Sequence, residues 1–273
     1  VTSLVFEWTY LRYLSAINLI LYPMRKIVSL LFAVALAGSV TVHAQQTTAL
    51  FNGKNLDNWE VFIGTALKGF EDLKAAATPE NVYSIVEKDG EKVLHISGTV
   101  NASIATKEAF ENYHLRLEYK WGEKVYTARN SGLLYHSYGS FGSALGTWMN
   151  AIECQLMTGN NGDAYTMGGT YFEAKVQEQD KNKVYAPTGN TLSFGNDQNG
   201  GKMARKLQDA EKPIGEWNVV EFYCLGSKTI HVVNGVKVME CENTGQLVDG
   251  KIVPLAAGRI QIQSEGGELF VRK

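Results

Sequence analysis

Three separate stretches of this chain alternate apolar and polar residues with a period of two, and that alternation restricts most of it to sheet. His114, Arg116, Glu118 and Lys120 alternate with Leu115, Leu117, Tyr119 and Trp121, which describes a strand with one polar face and one buried face. Glu153, Gln155 and Met157 alternate with Ile152, Cys154 and Leu156, and Arg259, Gln261 and Gln263 with Ile260 and Ile262. Residues 219–224 form a further apolar strand, and residues 229–238 contain Asn234-Gly235, the signature of a type I′ hairpin turn. The single helical candidate, residues 69–77, stops at Thr78-Pro79, because the residue before proline is pushed out of the helical region. Many strands, short turns and little helix predict an all-β jelly-roll sandwich in a single domain.

The N-terminal 44 residues stand apart from this pattern. Met24-Arg25-Lys26, the apolar run 27–38 and Val42-His43-Ala44 have the order of a secretory signal over 24–44. Ser39 stands where a lipoprotein signal needs Cys, so a periplasmic or secreted product free of the membrane after cleavage is expected. Residues 1–23 read as upstream sequence, and a span there is opposed by Glu7 and Arg12. The folded domain is expected over 45–273. A formal net charge of −2, without a basic run, excludes the footprint of nucleic-acid binding. The three cysteines fit neither a disulfide framework nor a metal-ligand spacing and read as buried thiols.

The chemistry-bearing residues are concentrated between Arg129 and Asp163. This segment carries Arg129-Asn130-Ser131-Gly132, Tyr135-His136, a Gly/Ser loop over 137–147, Trp148, Glu153-Cys154-Gln155 and Gly162-Asp163. A strand face bearing Glu153, Gln155, Arg259, Gln261 and Gln263 offers fixed donors and acceptors for sugar hydroxyls. Trp148 offers a flat apolar face for sugar C–H groups.

These residues resemble the 3-keto-disaccharide hydrolase family. The resemblance begins at Leu50-Phe51-Asn52-Gly53-Lys54 and Asn58-Trp59. It continues through Asn130-Ser131-Gly132, Glu153-x-Gln155, Gly162-Asp163 and Gly215-Glu216-Trp217-Asn218 to Gly258-Arg259 and Gln261-x-Gln263-Ser264-Glu265-Gly266-Gly267. It implies a concanavalin A-like jelly roll that acts outside the cytoplasm on glycosides whose C3 a partner sugar 3-dehydrogenase has oxidised. It also carries His136 over to a site position where many members have Arg.

A C3 ketone acidifies the C2 proton, so one base can remove it and the enolate can expel the C1 alkoxide. That route needs a base, an oxyanion donor and an acid. Glu153 is the expected base and His136 the acid or oxyanion donor, with Arg129 turned toward the carbonyl oxygen. Asn130, Gln155, Asp163, Trp148, Gln263 and Glu265 form the expected substrate-binding set. Direct hydrolysis would instead pair Glu153 with Asp163 or Glu265. No cofactor is expected, although His136, Glu153 and Asp163 together would suit a divalent cation. The alternative of a different class is a non-catalytic carbohydrate-binding module.

Overall fold

The computed structural model describes residues 47–273, and the segments assigned to a leader and to upstream sequence lie outside the described residues. The alternating stretches pair into two antiparallel sheets that face each other across one core. The front sheet has eight strands. Its spatial order is Trp59–Ile63, Ala102–Thr106, Ala257–Ser264, Gly132–Tyr138, Asn150–Gln155, Ala164–Met167 and Met203–Ala204, with Phe110–Glu111 beside Ala257–Ser264. The back sheet has eleven strands and is built around Thr170–Gln179, Val236–Val248, Lys228–Val233, Asn218–Leu225, Tyr113–Val125 and Gly267–Arg272. Strands distant in sequence lie side by side in both sheets, as expected for a jelly-roll sandwich. Among the described residues no helix is long and apolar enough to cross a membrane.

The apolar members of each alternation make the core. Leu133, Tyr135, Ile152, Cys154, Ile260 and Ile262 point inward from the front sheet against Leu117, Tyr119, Phe222, Val233 and Leu269 of the back sheet. Each such side chain, once fully buried, contributes about 1.5–3 kcal/mol. Cys154, Cys224 and Cys241 are free and buried. The hairpin turn falls at Asn234 and Gly235, with φ of 49° and 80°, the positive values a type I′ turn demands.

Two local details depart from the sequence expectation. The helix expected over 69–77 is shorter, Glu71–Ala75, and a second helix follows at Pro79–Val82. Thr78 caps the second helix reciprocally with Asn81, so the proline that ends one helix opens the next. The other departure is a bulge in Gly132–Tyr138. Tyr135 pairs with Ile152 while Tyr138 pairs with Asn150, and Leu134 pairs with Gln261 while Ser137 pairs with Arg259. One extra residue is therefore accommodated on the central strand, and His136 takes it up with φ 51°.

A small polar cluster is enclosed in the core. The Tyr135 hydroxyl lies 2.9 Å from both Thr229 Oγ1 and His231 Nε2, and His231 Nδ1 lies 3.2 Å from the Gly162 carbonyl oxygen. Burial pushes the His231 pKa down to about 4, so the ring is neutral at physiological pH. Tyr135→Phe leaves both partners buried without this contact. It is expected to lower the unfolding free energy by about 1–3 kcal/mol in urea titration, with the denaturant slope unchanged.

Candidate active site

Alternation sends the polar members of the front strands to the sheet's outer face. Glu153 stands there between Leu134 and Tyr165, its register partners on either side. Gly132 lies beside it, and a Cβ at that position would overlap both Glu153 Oε1 and Gln263 Oε1. The glycine is thus the notch in which these two side chains meet. Segment 126–132 runs alongside 263–267, tied by Ser131 Oγ donating to the Gln263 carbonyl (2.9 Å) and by Tyr126 N–H donating to Gly266 O (2.8 Å). A Cβ at Gly267 would press on Arg129 Cα and the Trp121 ring.

Unpaired polar atoms gather along this seam. Glu153 Oε1, Gln263 Oε1, Asn130 Oδ1 and Arg129 Nε are all buried with no hydrogen-bond partner. Each costs about 1–3 kcal/mol in the free protein, and such groups call for a ligand to satisfy them. Two carboxyls share the seam. Burial, reinforced by the nearby Glu265 charge, holds the Glu153 carboxyl well above the usual carboxylate range. Burial also pushes Glu265 up to about 7. Both carboxyls are thus shifted toward their protonated forms, Glu265 titrating near neutrality, and perturbed acids of this kind are the groups acid–base chemistry uses.

Farther along the same face the character changes to apolar. Leu134, Ala144, Trp148, Ala151 and Met167 form a second cluster, against which Tyr165 packs. Trp148 is buried and its Nε1 donates to the Ala102 carbonyl at 3.3 Å, so it walls the cluster and keeps its ring edge occupied. Gln261 is engaged as well. Its Oε1 accepts from Ser103 Oγ and Met149 N, and its Nε2 donates to Ser137 Oγ. The loop above the cluster is pinned by Thr65 N–H donating to Thr147 Oγ1 and by stacking of Phe141 on Phe62. At its tip Leu145 has φ 50°. That conformation costs an L-residue about 1–2 kcal/mol.

The structure redistributes the residues expected from sequence. Glu153, Gln263 and Glu265 come together, while Arg129, whose Nη2 donates to the Gly122 carbonyl, and Asn130 lie on the adjoining segment. His136 does not. The bulge turns its ring into the sandwich, 5.1 Å from the Tyr135 ring and 6.4 Å from Tyr113. Glu153 faces the other way, so the expected Glu153–His136 acid–base pair is not formed. His136 is fully buried, and desolvation pushes its pKa down to about 4. Asp163 is also withdrawn: it accepts from Arg205 Nη1 (2.7 Å) and Lys206 N (2.8 Å) and so anchors a loop. Burial raises its carboxyl against the opposing pull of these partners. Gln155 Oε1 turns back onto the Leu156 and Met157 amides, both at 3.0 Å. His136, Glu153 and Asp163 therefore cannot share a cation. Among the described residues no group of three or more His, Cys, Asp or Glu side chains is placed to hold one. Trp121 lies in the core as the alternation predicts, with its Nε1 buried and without a hydrogen-bond partner.

A separate cavity of about 300 Å³ lies on the far side of the sandwich, lined by residues that include His95, Lys124, Tyr126 and Glu268. Its charged pair is internally satisfied: His95 Nε2 lies 3.0 Å from Glu268 Oε1, and Glu268 Oε2 accepts from two backbone amides.

Residues 46–273 match the family model for the 3-keto-alpha-glucoside-1,2-lyase-like domain. No curated protein matches the chain. A protein of Parabacteroides distasonis, provisionally assigned as a glycosyl hydrolase, is 21% identical with a TM-score of 0.46, covering 81% of this chain and 93% of its own. A carbohydrate binding module from Bacillus subtilis is 7% identical with a TM-score of 0.43, covering 79% and 92%. A Bacillus licheniformis beta-glucanase is 11% identical with a TM-score of 0.41, covering 81% and 91%.

The raised Glu265 pKa has a consequence for stability. The folded pKa of about 7 lies above the unfolded value near 4.5, so the folded state holds this proton more tightly. The stabilising contribution is complete below pH 4.5 and is lost as pH rises through 7. Glu265→Gln, which cannot ionise, is expected to melt several degrees above the parent at pH 8, with the gap closing by pH 4.5 in thermal melts across that range.

Proposed function

The chain belongs to the 3-keto-alpha-glucoside-1,2-lyase-like domain family, and from that membership we propose that it is an exported carbohydrate-active enzyme that cleaves the glycosidic bond of 3-keto-glucosides. The observation that carries this reading is the seam itself. Two desolvated carboxyls, both raised above the usual carboxylate range, stand beside the unpaired acceptor of Gln263 on one sheet face.

The chemistry follows from where each proton is held. Glu265, ionised in part at neutral pH, is the base that takes the C2 proton, which the C3 ketone has made acidic. The electron pair left at C2 closes the C1–C2 double bond and the C1–O bond breaks. Glu153, whose burial favours the protonated form, gives its proton to the departing oxygen. The products are the free alcohol and a 1,2-unsaturated 3-keto sugar, to which water then adds. Arg129 supplies a donor for the oxygen that gains charge, and Asn130 and Gln263 hold hydroxyls. Glu153 thus serves as acid rather than as the base expected from sequence, because its burial opposes ionisation. The substrate implies a sugar 3-dehydrogenase upstream, and the leader over 24–44 implies a periplasmic or secreted site of action.

The decisive experiment compares 4-nitrophenyl 3-keto-glucoside with its unoxidised counterpart. Release of nitrophenol from the first alone is expected, with deuterium incorporated at C2 in heavy water. Binding without turnover would instead favour a carbohydrate-binding module. Glu265→Gln is expected to lower kcat by about 10²–10⁴ and to abolish the acid limb of the pH profile, in which activity falls below pH 7. Glu153→Gln should spare 4-nitrophenyl substrates, whose leaving group departs unaided, and cripple alkyl ones. An equal loss on both would reject its role as acid.

A further inference from the structure

The cavity lined by His95 and Glu268 borders a strand pair that continues into the seam. Between Tyr113–Val125 and Gly267–Arg272 the register slips. Val125 pairs with Gly267 and Trp121 with Leu269, so Gly122, Glu123 and Lys124 stand opposite Glu268 alone. A bulge of that size leaves amides without ladder partners. The Glu268 carboxylate takes two of them, Oε2 accepting from Glu123 N (3.1 Å) and Lys124 N (3.4 Å). Its other oxygen lies 3.0 Å from His95 Nε2, and His95 Nδ1 lies 3.2 Å from Ser84 Oγ. The carboxylate is thus fixed from behind while it holds the bulge in front. Gly122 leaves the space for it, since a Cβ there would overlap Glu268 Oε2.

The bulge reaches the seam through one group. The Gly122 carbonyl accepts from Arg129 Nη2 at 3.4 Å, and Arg129 Nε stays buried and without a partner. The backbone around Arg129 is tied separately, by Tyr126 N donating to Gly266 O and Thr158 N to Arg129 O. Only the guanidinium depends on the bulge. We infer that Glu268, backed by His95, is a positioning residue: it holds the Gly122 carbonyl where that carbonyl presets the free Nε–H of Arg129 for the oxygen that gains charge. The inference rests on the proposed cleavage of 3-keto-glucosides for that oxygen, whereas the orientation of Arg129 does not require turnover. A donor preset in this way needs no reorganisation as charge develops.

The test reads the arginine and the reaction separately. In the parent protein the Arg129 Nε–H resonance, assigned by its absence from Arg129→Met, is expected to exchange slowly with water. Glu268→Ala should speed that exchange and lower kcat on 4-nitrophenyl 3-keto-glucoside by about tenfold to a hundredfold, with KM little changed. Glu268→Gln, which keeps an oxygen for the two amides, should restore most of both. In the Arg129→Met background Glu268→Ala should cost no more than roughly twofold, because its effect passes through the guanidinium. An equal loss in both backgrounds, or an unchanged exchange rate in Glu268→Ala, would overturn the inference. Should Glu268→Ala not fold, His95→Leu takes its place in the cycle, and a smaller loss is expected only where Arg129 is present; the same loss in its absence, or none, is equally fatal. A parent that cleaves no 3-keto-glucoside would remove the catalytic reading, and the exchange measurement would then decide the positioning contact by itself.

Discussion

Removing water from Glu153 is the constraint on which the rest of the site depends. A solvated carboxyl on a sheet face is ionised and chemically ordinary. Closed in by Leu134, Tyr165 and Gln263, with Glu265 close enough to add its charge, it holds its proton well above the usual carboxylate range. The same enclosure leaves Gln263 Oε1 without a donor and holds the Glu265 carboxyl near 7. These are destabilising arrangements, and they persist because the inner face of the same strands contributes a large apolar core. The front sheet is therefore buried on both sides, with stability supplied by one and strain concentrated on the other.

The parity of the strands was legible in the sequence. Cys154 points inward and Glu153 outward, as a period of two requires, and Ile260 and Ile262 face the core opposite to Gln261 and Gln263. The Asn234-Gly235 turn follows from positive φ alone. His136 was not legible, because a bulge changes parity without leaving a mark in the alternation. Gly132, Leu134 and then His136 read as one face until an added residue rotates the last of them inward.

The site was partly legible for a related reason. Residue type and strand position located Glu153, Gln263, Asn130 and Arg129. Their protonation depends on desolvation and on neighbours distant in sequence, such as Glu265 beside Glu153, which the strand pattern does not show. Asp163 shows the converse. A glycine-flanked aspartate resembles a functional group, and only the fold reveals Arg205 and the Lys206 amide waiting for it.

The position of Ala257–Ser264 bears on how the molecule forms. This strand is inserted between Ala102–Thr106 and Gly132–Tyr138, although it is synthesised long after both. Until it arrives, each neighbour exposes an open hydrogen-bonding edge, and Glu153 has no Gln263 to face. Assembly must therefore close a long loop late, which slows folding and leaves sticky intermediates. Because Gln263 and Glu265 lie on and just beyond this strand, the seam around Glu153 is completed in the same step that seals the sheet.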